Sequence, residues 1–148
     1  MFNMKPHTEL IQSHWIDSYG HLNEAYYVVA FSNATWPLQN NFKIGLEYYK
    51  ETGCALFTVE THIRYLKEVR APAILSINSL ILDVKDKKLW IAHQMEAEEI
   101  KRATFECILI HYDTINCCSR PFPKNIYNDL TRAKTPSLPK WVNSSITL

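Results

Sequence analysis

An α+β domain, one antiparallel sheet wrapped around one long buried helix, is the fold class this sequence predicts, and three observations predict it. First, the run "NEAYYVVAFSNATWPLQNN" places Tyr27, Phe31, Ala34 and Leu38 at i, i+4, i+7 and i+11, one face of a 3.6-residue period. Val28, Val29, Ala30 and Trp36 make the other faces apolar too, so this helix is expected to be buried nearly all round. Second, "CALFTVETHIRYL" alternates with a period of two. Third, three more short strand-like runs follow, separated by charged turns, as in an antiparallel meander.

In chain order, "TELIQSHW" (Thr8 to Trp15) reads as a first strand. Asn23 is a good N-cap for the helix, with Glu24 in the first turn where the helix dipole favours an acid. Pro37 is expected to end or kink that helix. "NFKIGLEYYKETG" is a connector with a helical turn from Leu46 to Lys50. On the second strand Phe57, Val59, Thr61, Ile63 and Tyr65 are expected to share the core face, and Thr58, Glu60, His62 and Arg64 the other. A third strand runs from Ala73 to Val84, "LWIAHQMEAE" returns as the fourth, "EIKR" turns, and "ATFECILIHYDT" is the fifth. Beyond Ile115 four prolines and no clear period suggest a short helix, Asn125 to Arg132, and an extended tail. The division expected is a domain over 1–114 with a C-terminal extension of it over 115–148. Five strands cover such a helix only in part and leave open edges. Pairing two sheets edge to edge in a homodimer, with a tetramer as a further possibility, is the economical solution.

Composition narrows the function. The chain has 148 residues, 47% of them hydrophobic, enough for one core. A formal net charge of +1 gives no pull toward nucleic acid. No apolar run approaches a membrane span, and "MFNMKPHTEL" lacks the apolar centre of a signal peptide, so a cytoplasmic protein is expected, with no membrane partner. Cys54, Cys107, Cys117 and Cys118 have neither disulfide-framework nor zinc-site spacing, and His62, His93 and His111 are not spaced as ligands. No metal is expected.

Only three glycines occur, and one sits in "DSYGHLNEAYY", between an aspartate and a histidine just before the helix. Asp17 is the only acid between the first strand and the helix start. The helix N-terminus offers backbone N–H groups, from Asn23 and Glu24, with the positive end of the dipole behind them. A carbonyl aimed there is polarised while Asp17 attacks it or activates water, and Gly20 lets backbone come close without a Cβ. That is what hydrolysis of an activated ester needs.

With "WIDSYGHLNEAYY", the block "VETHIRYLKEVRAP" (Val59 to Pro72) completes the pattern. Over about residues 8–114 the chain resembles the hotdog-fold acyl-CoA thioesterases of the 4-hydroxybenzoyl-CoA thioesterase type. The second block resembles the branch associated with carnitine breakdown, which is taken to hydrolyse betainyl-CoA or a close relative. The family often has a second acid two residues before the catalytic one. Trp15 stands there instead, which matches the carnitine branch. The resemblance implies that Asp17 is nucleophile or general base and that Gly20, His21, Asn23 and Glu24 complete or shape the catalytic turn. Coenzyme A is implied as part of the substrate, with no bound cofactor.

The acyl pocket is expected to be dense in rings, from Trp15, Tyr19, Tyr26 and Tyr27, able to hold a quaternary ammonium over their faces, with Glu60 as counter-charge. The second block would add Thr61, Arg64, Tyr65 and Lys67 to substrate binding. The basic run Arg64 to Arg70, or the turn at Asp86–Lys88, would meet the coenzyme A phosphates. Two rival readings are a hotdog enoyl-thioester hydratase and a non-catalytic acyl-CoA binding module. The hydratase carries its acid on the helix and the module needs none, so an acid before the helix favours hydrolysis.

Overall fold

The computed structural model describes residues 4–143. Its strands are β1 (His7–Leu10), β2 (Cys54–Tyr65), β3 (Ile74–Val84), β4 (Lys88–Ala97), β5 (Ile100–Asp113) and β6 (Cys118–Ser119). Its helices are α1 (Glu24–Asn41), α2 (Leu46–Thr52) and α3 (Lys124–Arg132). The strands form one sheet in the order β1-β3-β4-β5-β2, every neighbouring pair antiparallel, with β6 added to the end of β5. This is the hotdog arrangement, with α1 against the sheet's inner face.

α1 forms for the reasons its sequence gives. The Asn23 side chain accepts from the Ala25 N–H at 3.0 Å, and Glu24 occupies the first turn. Tyr27, Phe31, Ala34 and Leu38, the predicted face, are all buried, together with Ala30. Phe31 stacks on Phe105 of β5 at 5.0 Å. The other faces differ from expectation. Val28, Val29 and Trp36 are exposed in the single chain, because the sheet covers one side of the helix only. Pro37 does not end the helix, which runs on to Asn41; the ring removes one N–H donor and the flanking turns hold.

β1 is shorter than expected. After Leu10 the chain leaves the sheet and Ser13–Trp15 forms a 3-10 turn that buries Trp15. In β2 the expected single core face is broken by a bulge at Val59, where pairing with β5 shifts between Thr58 and Glu60. Before the bulge the even residues Cys54 and Leu56 are buried, and Phe57 turns outward to stack on Tyr112. After it the odd residues Thr61, Ile63 and Tyr65 pair with Cys107, Phe105 and Ala103 on the inner face. One extra residue inverts a period-two pattern. The turn before β5 is Glu98–Glu99, both at positive φ, and β5 begins at Ile100, inside the predicted turn.

Beyond β5 the chain stays on the domain. Phe122, Ile126 and Leu130 join the core, and α3 starts one residue before the predicted Asn125. The tail then crosses the outer face of the sheet. There Val142 packs on Leu82 and Ala92, and the Asn143 N–H donates to both oxygens of Glu106, at 2.9 and 3.0 Å.

Candidate active site

The turn from Asp17 to His21 is built by its own aspartate. The Asp17 N–H donates to the His21 carbonyl at 2.9 Å, and the Gly20 N–H to the Asp17 carbonyl at 3.0 Å. Oδ1 of Asp17 accepts from the backbone N–H of Tyr19 at 2.8 Å and of His21 at 3.2 Å. Gly20 sits at φ +82°, where a side chain is strained. Both recorded bonds fall on one carboxylate oxygen. Oδ2 accepts none among the described residues.

The helix start lies next to it, and here one expectation is corrected. The Asn23 N–H is not open, since it donates to the Trp15 carbonyl at 2.9 Å. The Ala25 and Tyr26 N–H groups go to the Asn23 side chain and carbonyl. Among the described residues the Glu24 N–H has no acceptor, so it is the donor that can meet a developing oxyanion at this helix end.

Asp17, His21, Glu24, Tyr27, Tyr65 and Lys67 line one cavity of about 350 Å³, with Glu68 at its rim. Tyr27 and Tyr65 meet edge to face, centroids 5.1 Å apart. Burial pushes the Tyr27 phenol above its ordinary range, opposed by a hydrogen bond with the Val69 backbone. Burial and then the Glu24 charge raise Tyr65. The structure therefore gathers six of the sequence-predicted residues at one place, with Gly20 and Asn23 forming the turn and the cap beside them.

The others lie elsewhere. Trp15 is buried and stacks on Tyr26, centroids 5.4 Å apart, so this pair is a wall of the core behind the turn rather than a lining of the cavity. Tyr19 is 83% exposed at the tip of the turn. Glu60 and Arg64 belong to the outer face of β2, and Glu60 lines a separate cavity with His62 and Glu106. Thr61 opens onto a larger groove of about 630 Å³ between α1 and β2, whose walls include Val28, Trp36, Leu56 and Phe105. At Asp86–Lys88 the chain makes the β3–β4 turn.

Two residues that sequence reasoning did not assign to the Asp17 turn touch it. Arg70 Nη2 lies 2.6 Å from His21 Nε2, and Arg70 Nε donates to Glu68 Oε1 at 2.9 Å. That bond holds the Glu68 carboxyl below its usual range. The signal was the charge alternation in "LKEVR", which reads equally well as a phosphate-binding run. Among the described residues no group of His, Cys, Asp and Glu could hold a metal ion, and all four cysteines are free thiols. No helix among them is long and apolar enough to cross a membrane.

A hotdog sheet with an acid-bearing turn at the start of its central helix defines a thioesterase-type domain. The model of the Thioesterase-like superfamily matches residues 11–146, and the chain belongs to that family. A Pseudomonas aeruginosa relative named betainyl-CoA thioesterase is 31% identical over 110 residues, covering 73% of this chain and 69% of the relative. An Agrobacterium fabrum relative named L-carnitine dehydrogenase/betainyl-CoA thioesterase is 36% identical over 115 residues, covering 76% of this chain. The match spans only 23% of that relative's own length. A Staphylococcus aureus protein solved in complex with CoA superposes with a TM-score of 0.87 at 21% identity, covering 100% of this chain and 99% of that one, a likeness of fold.

Proposed function

We propose that this chain hydrolyses an acyl-CoA thioester, with Asp17 as the reacting carboxylate and the Glu24 N–H as oxyanion donor. The observation that carries this reading is the division of labour at Asp17: Oδ1 ties the turn together, Oδ2 accepts no bond among the described residues, and the side chain shares a cavity with Glu24, whose N–H is open among them. In one route Oδ2 takes a proton from water as the water oxygen attacks the thioester carbon. In the other Oδ2 attacks directly and water cleaves the resulting anhydride. In both, the carbonyl oxygen gains negative charge beside the Glu24 N–H and the C–S bond breaks. In the first route the proton held on Oδ2 passes to the CoA sulfur; in the second the sulfur leaves as thiolate and takes its proton from the water that cleaves the anhydride and returns Asp17 as a carboxylate. Coenzyme A is substrate, not cofactor, and Lys67 stands in the cavity as a cation for its phosphates.

For the acyl group we adopt the small, quaternary-ammonium class that the relatives' names carry. Tyr27 and Tyr65, flanked by the carboxylates of Glu24 and Glu68, suit a cation better than Trp15 and Tyr26, which are turned into the core. A ring face offers such a cation about 0.5–2 kcal/mol.

The test is thiol release from a panel of acyl-CoA esters. Asp17→Asn keeps the turn's hydrogen bonds through its side-chain oxygen but loses charge and basicity. It is expected to cut turnover on the order of 10² or more, the range of a general base, with an unchanged thermal melt. A folded variant that turns over at the wild-type rate ends the reading. Betainyl-CoA is expected to exceed the neutral isostere tert-butylacetyl-CoA in kcat/KM; equality removes the acyl assignment and leaves the hydrolysis standing.

A further inference from the structure

We infer that Arg70, steadied by Glu68, is a positioning residue for the reaction and fixes the Asp17 turn by way of His21. The inference rests on the reading of Asp17 above.

The segment Leu66–Ala73 between β2 and β3 lies along the Asp17 turn and touches it at three successive residues. Leu22 N–H donates to the Val69 carbonyl at 2.8 Å. His21 Nε2 lies 2.6 Å from Arg70 Nη2. At Gly20, a Cβ built on the backbone would stand 3.4 Å from Arg70 Nη1, so the guanidinium lies against the one residue of the turn that has no side chain. Gly20 takes the positive φ of the turn, and Arg70 packs against its open side.

The chemistry of the contact shows how it acts. Nε2 of His21 has Arg70 Nη2 at 2.6 Å and Glu68 Oε2 at 3.0 Å. A guanidinium only donates hydrogen bonds and a carboxylate only accepts them, so a bare Nε2 accepts from Arg70 and a protonated one pairs with Glu68. Either way the same two charges grip the ring, since Arg70 Nε donates to Glu68 Oε1 at 2.9 Å. They form a fork: Glu68 orients the guanidinium, and the pair fixes the imidazole. His21 in turn donates its backbone N–H to Asp17 Oδ1 and accepts the Asp17 N–H on its carbonyl. A ring held in place restrains the residue whose peptide binds Asp17 at both ends.

This geometry is an odd investment for stability alone. Arg70 and Glu68 are 59% and 50% exposed as side chains, and pairs at that exposure add little to folding. Their effect is expected in the rate.

The experiment is steady-state kinetics of Arg70→Gln, Arg70→Lys, Glu68→Gln and His21→Ala on the best ester of the panel, with thermal melts alongside. Arg70→Gln is expected to lower kcat on the order of tenfold, since small misplacements of a reacting group are costly. KM is expected to stay within about twofold, a pattern that marks loss of a contact made only in the transition state. The melting temperature is expected to shift by no more than about 4 °C. Arg70→Lys, which can still donate to Nε2, is expected to recover most of kcat, and Glu68→Gln to lose less than Arg70→Gln. Adding Arg70→Gln to His21→Ala is expected to cost nothing further, because the effect passes through that ring. A raised KM with kcat intact would make Arg70 a phosphate contact and overturn the inference. So would full additivity with His21→Ala, or a wild-type kcat. Those failures leave Asp17→Asn inactive, whereas a fully active Asp17→Asn overturns the proposed function and this inference with it.

Discussion

At the scale of single residues, the Asp17 turn is a local device: its carboxylate binds the backbone just after it, and Asn23 caps the helix behind it. Asp17, Gly20 and Asn23 could be read from spacing, because a turn that caps a helix leaves a local signature. The loss of the Asn23 N–H to Trp15, and the swing of Trp15 into the core, depend on a 3-10 turn that no local pattern announced. His93 is another residue whose role only packing reveals. It is fully buried between Phe31 and Phe105, with Thr35 Oγ1 at 2.9 Å from Nε2 and Ser79 Oγ at 2.8 Å from Nδ1. Thr35 gives its only proton to the Phe31 carbonyl. Nε2–H must therefore donate to Thr35, and Nδ1 accepts from Ser79. Burial, and next the nearby His7, lower the His93 pKa to about 3. The unfolded chain takes up that proton below about 6.5, the folded chain only near 3, so the unfolded state binds more protons throughout the interval. Stability should fall on acidification through that window, by at most about 1.4 kcal/mol per pH unit from this group. Urea midpoints at pH 5 and pH 7 check it. The wild type is expected to lose more between them than His93→Gln, which keeps polar partners but does not titrate.

At the scale of elements, α1 and β2 tell opposite stories. The buried face of α1 was legible because Tyr27, Phe31, Ala34 and Leu38 repeat at the helix's own period. Its extent of burial was overestimated, since an apolar composition does not say which neighbour covers it. β2 alternates so cleanly in sequence that nothing in it signals a bulge, and of its predicted core face Phe57 points outward and Val59 stands in the bulge. The exposed apolar residues then gather along one seam: Val28 and Trp36 on α1, Phe57 and Val59 on β2. β2 is also a sheet edge, with unpaired backbone groups on its free side. We read the seam as the surface a second copy covers, edge to edge along β2. Light scattering at micromolar concentration is expected to give twice the chain mass. Val59→Lys places a charge on that edge and is expected to return the monomer; an unchanged dimer would move the interface elsewhere.

At the scale of the whole molecule, the parts remote from Asp17 are joined to it through the sheet. The proline-rich C-terminal stretch offered no period to read, yet it is anchored twice, by α3 in the main core and by Val142 and Asn143 on the outer face. Its anchor Glu106 is on the same strand as Phe105, which packs beneath α1. Burial there also pushes the thiol of the neighbouring Cys107 up to about 11, so it stays a protonated, unreactive side chain at neutral pH. Fold and family were recoverable from the string of residues because strand order and the opening turn are sequential features. Long-range closures such as Glu106 to Asn143 are not, since neither residue is distinctive where it stands.

The bulge at Val59 absorbs one residue without disturbing the partner strand, because Thr58, Glu60 and Thr61 stand opposite the consecutive residues Leu109, Ile108 and Cys107. Taking Val59 out leaves Thr58 facing in, Glu60 out and Thr61 in, so the strand becomes regular and Ile63 and Tyr65 keep the inner face. An alanine added between Thr61 and His62 has no such slack to enter and turns Ile63 and Tyr65 toward water. A variant lacking Val59 is therefore expected to keep its fold and turnover, while the insertion loses both, as melting curves and thiol release would show. The strand tolerates subtraction at one point and addition at none beyond it, which is the spacing rule a homologue would have to obey.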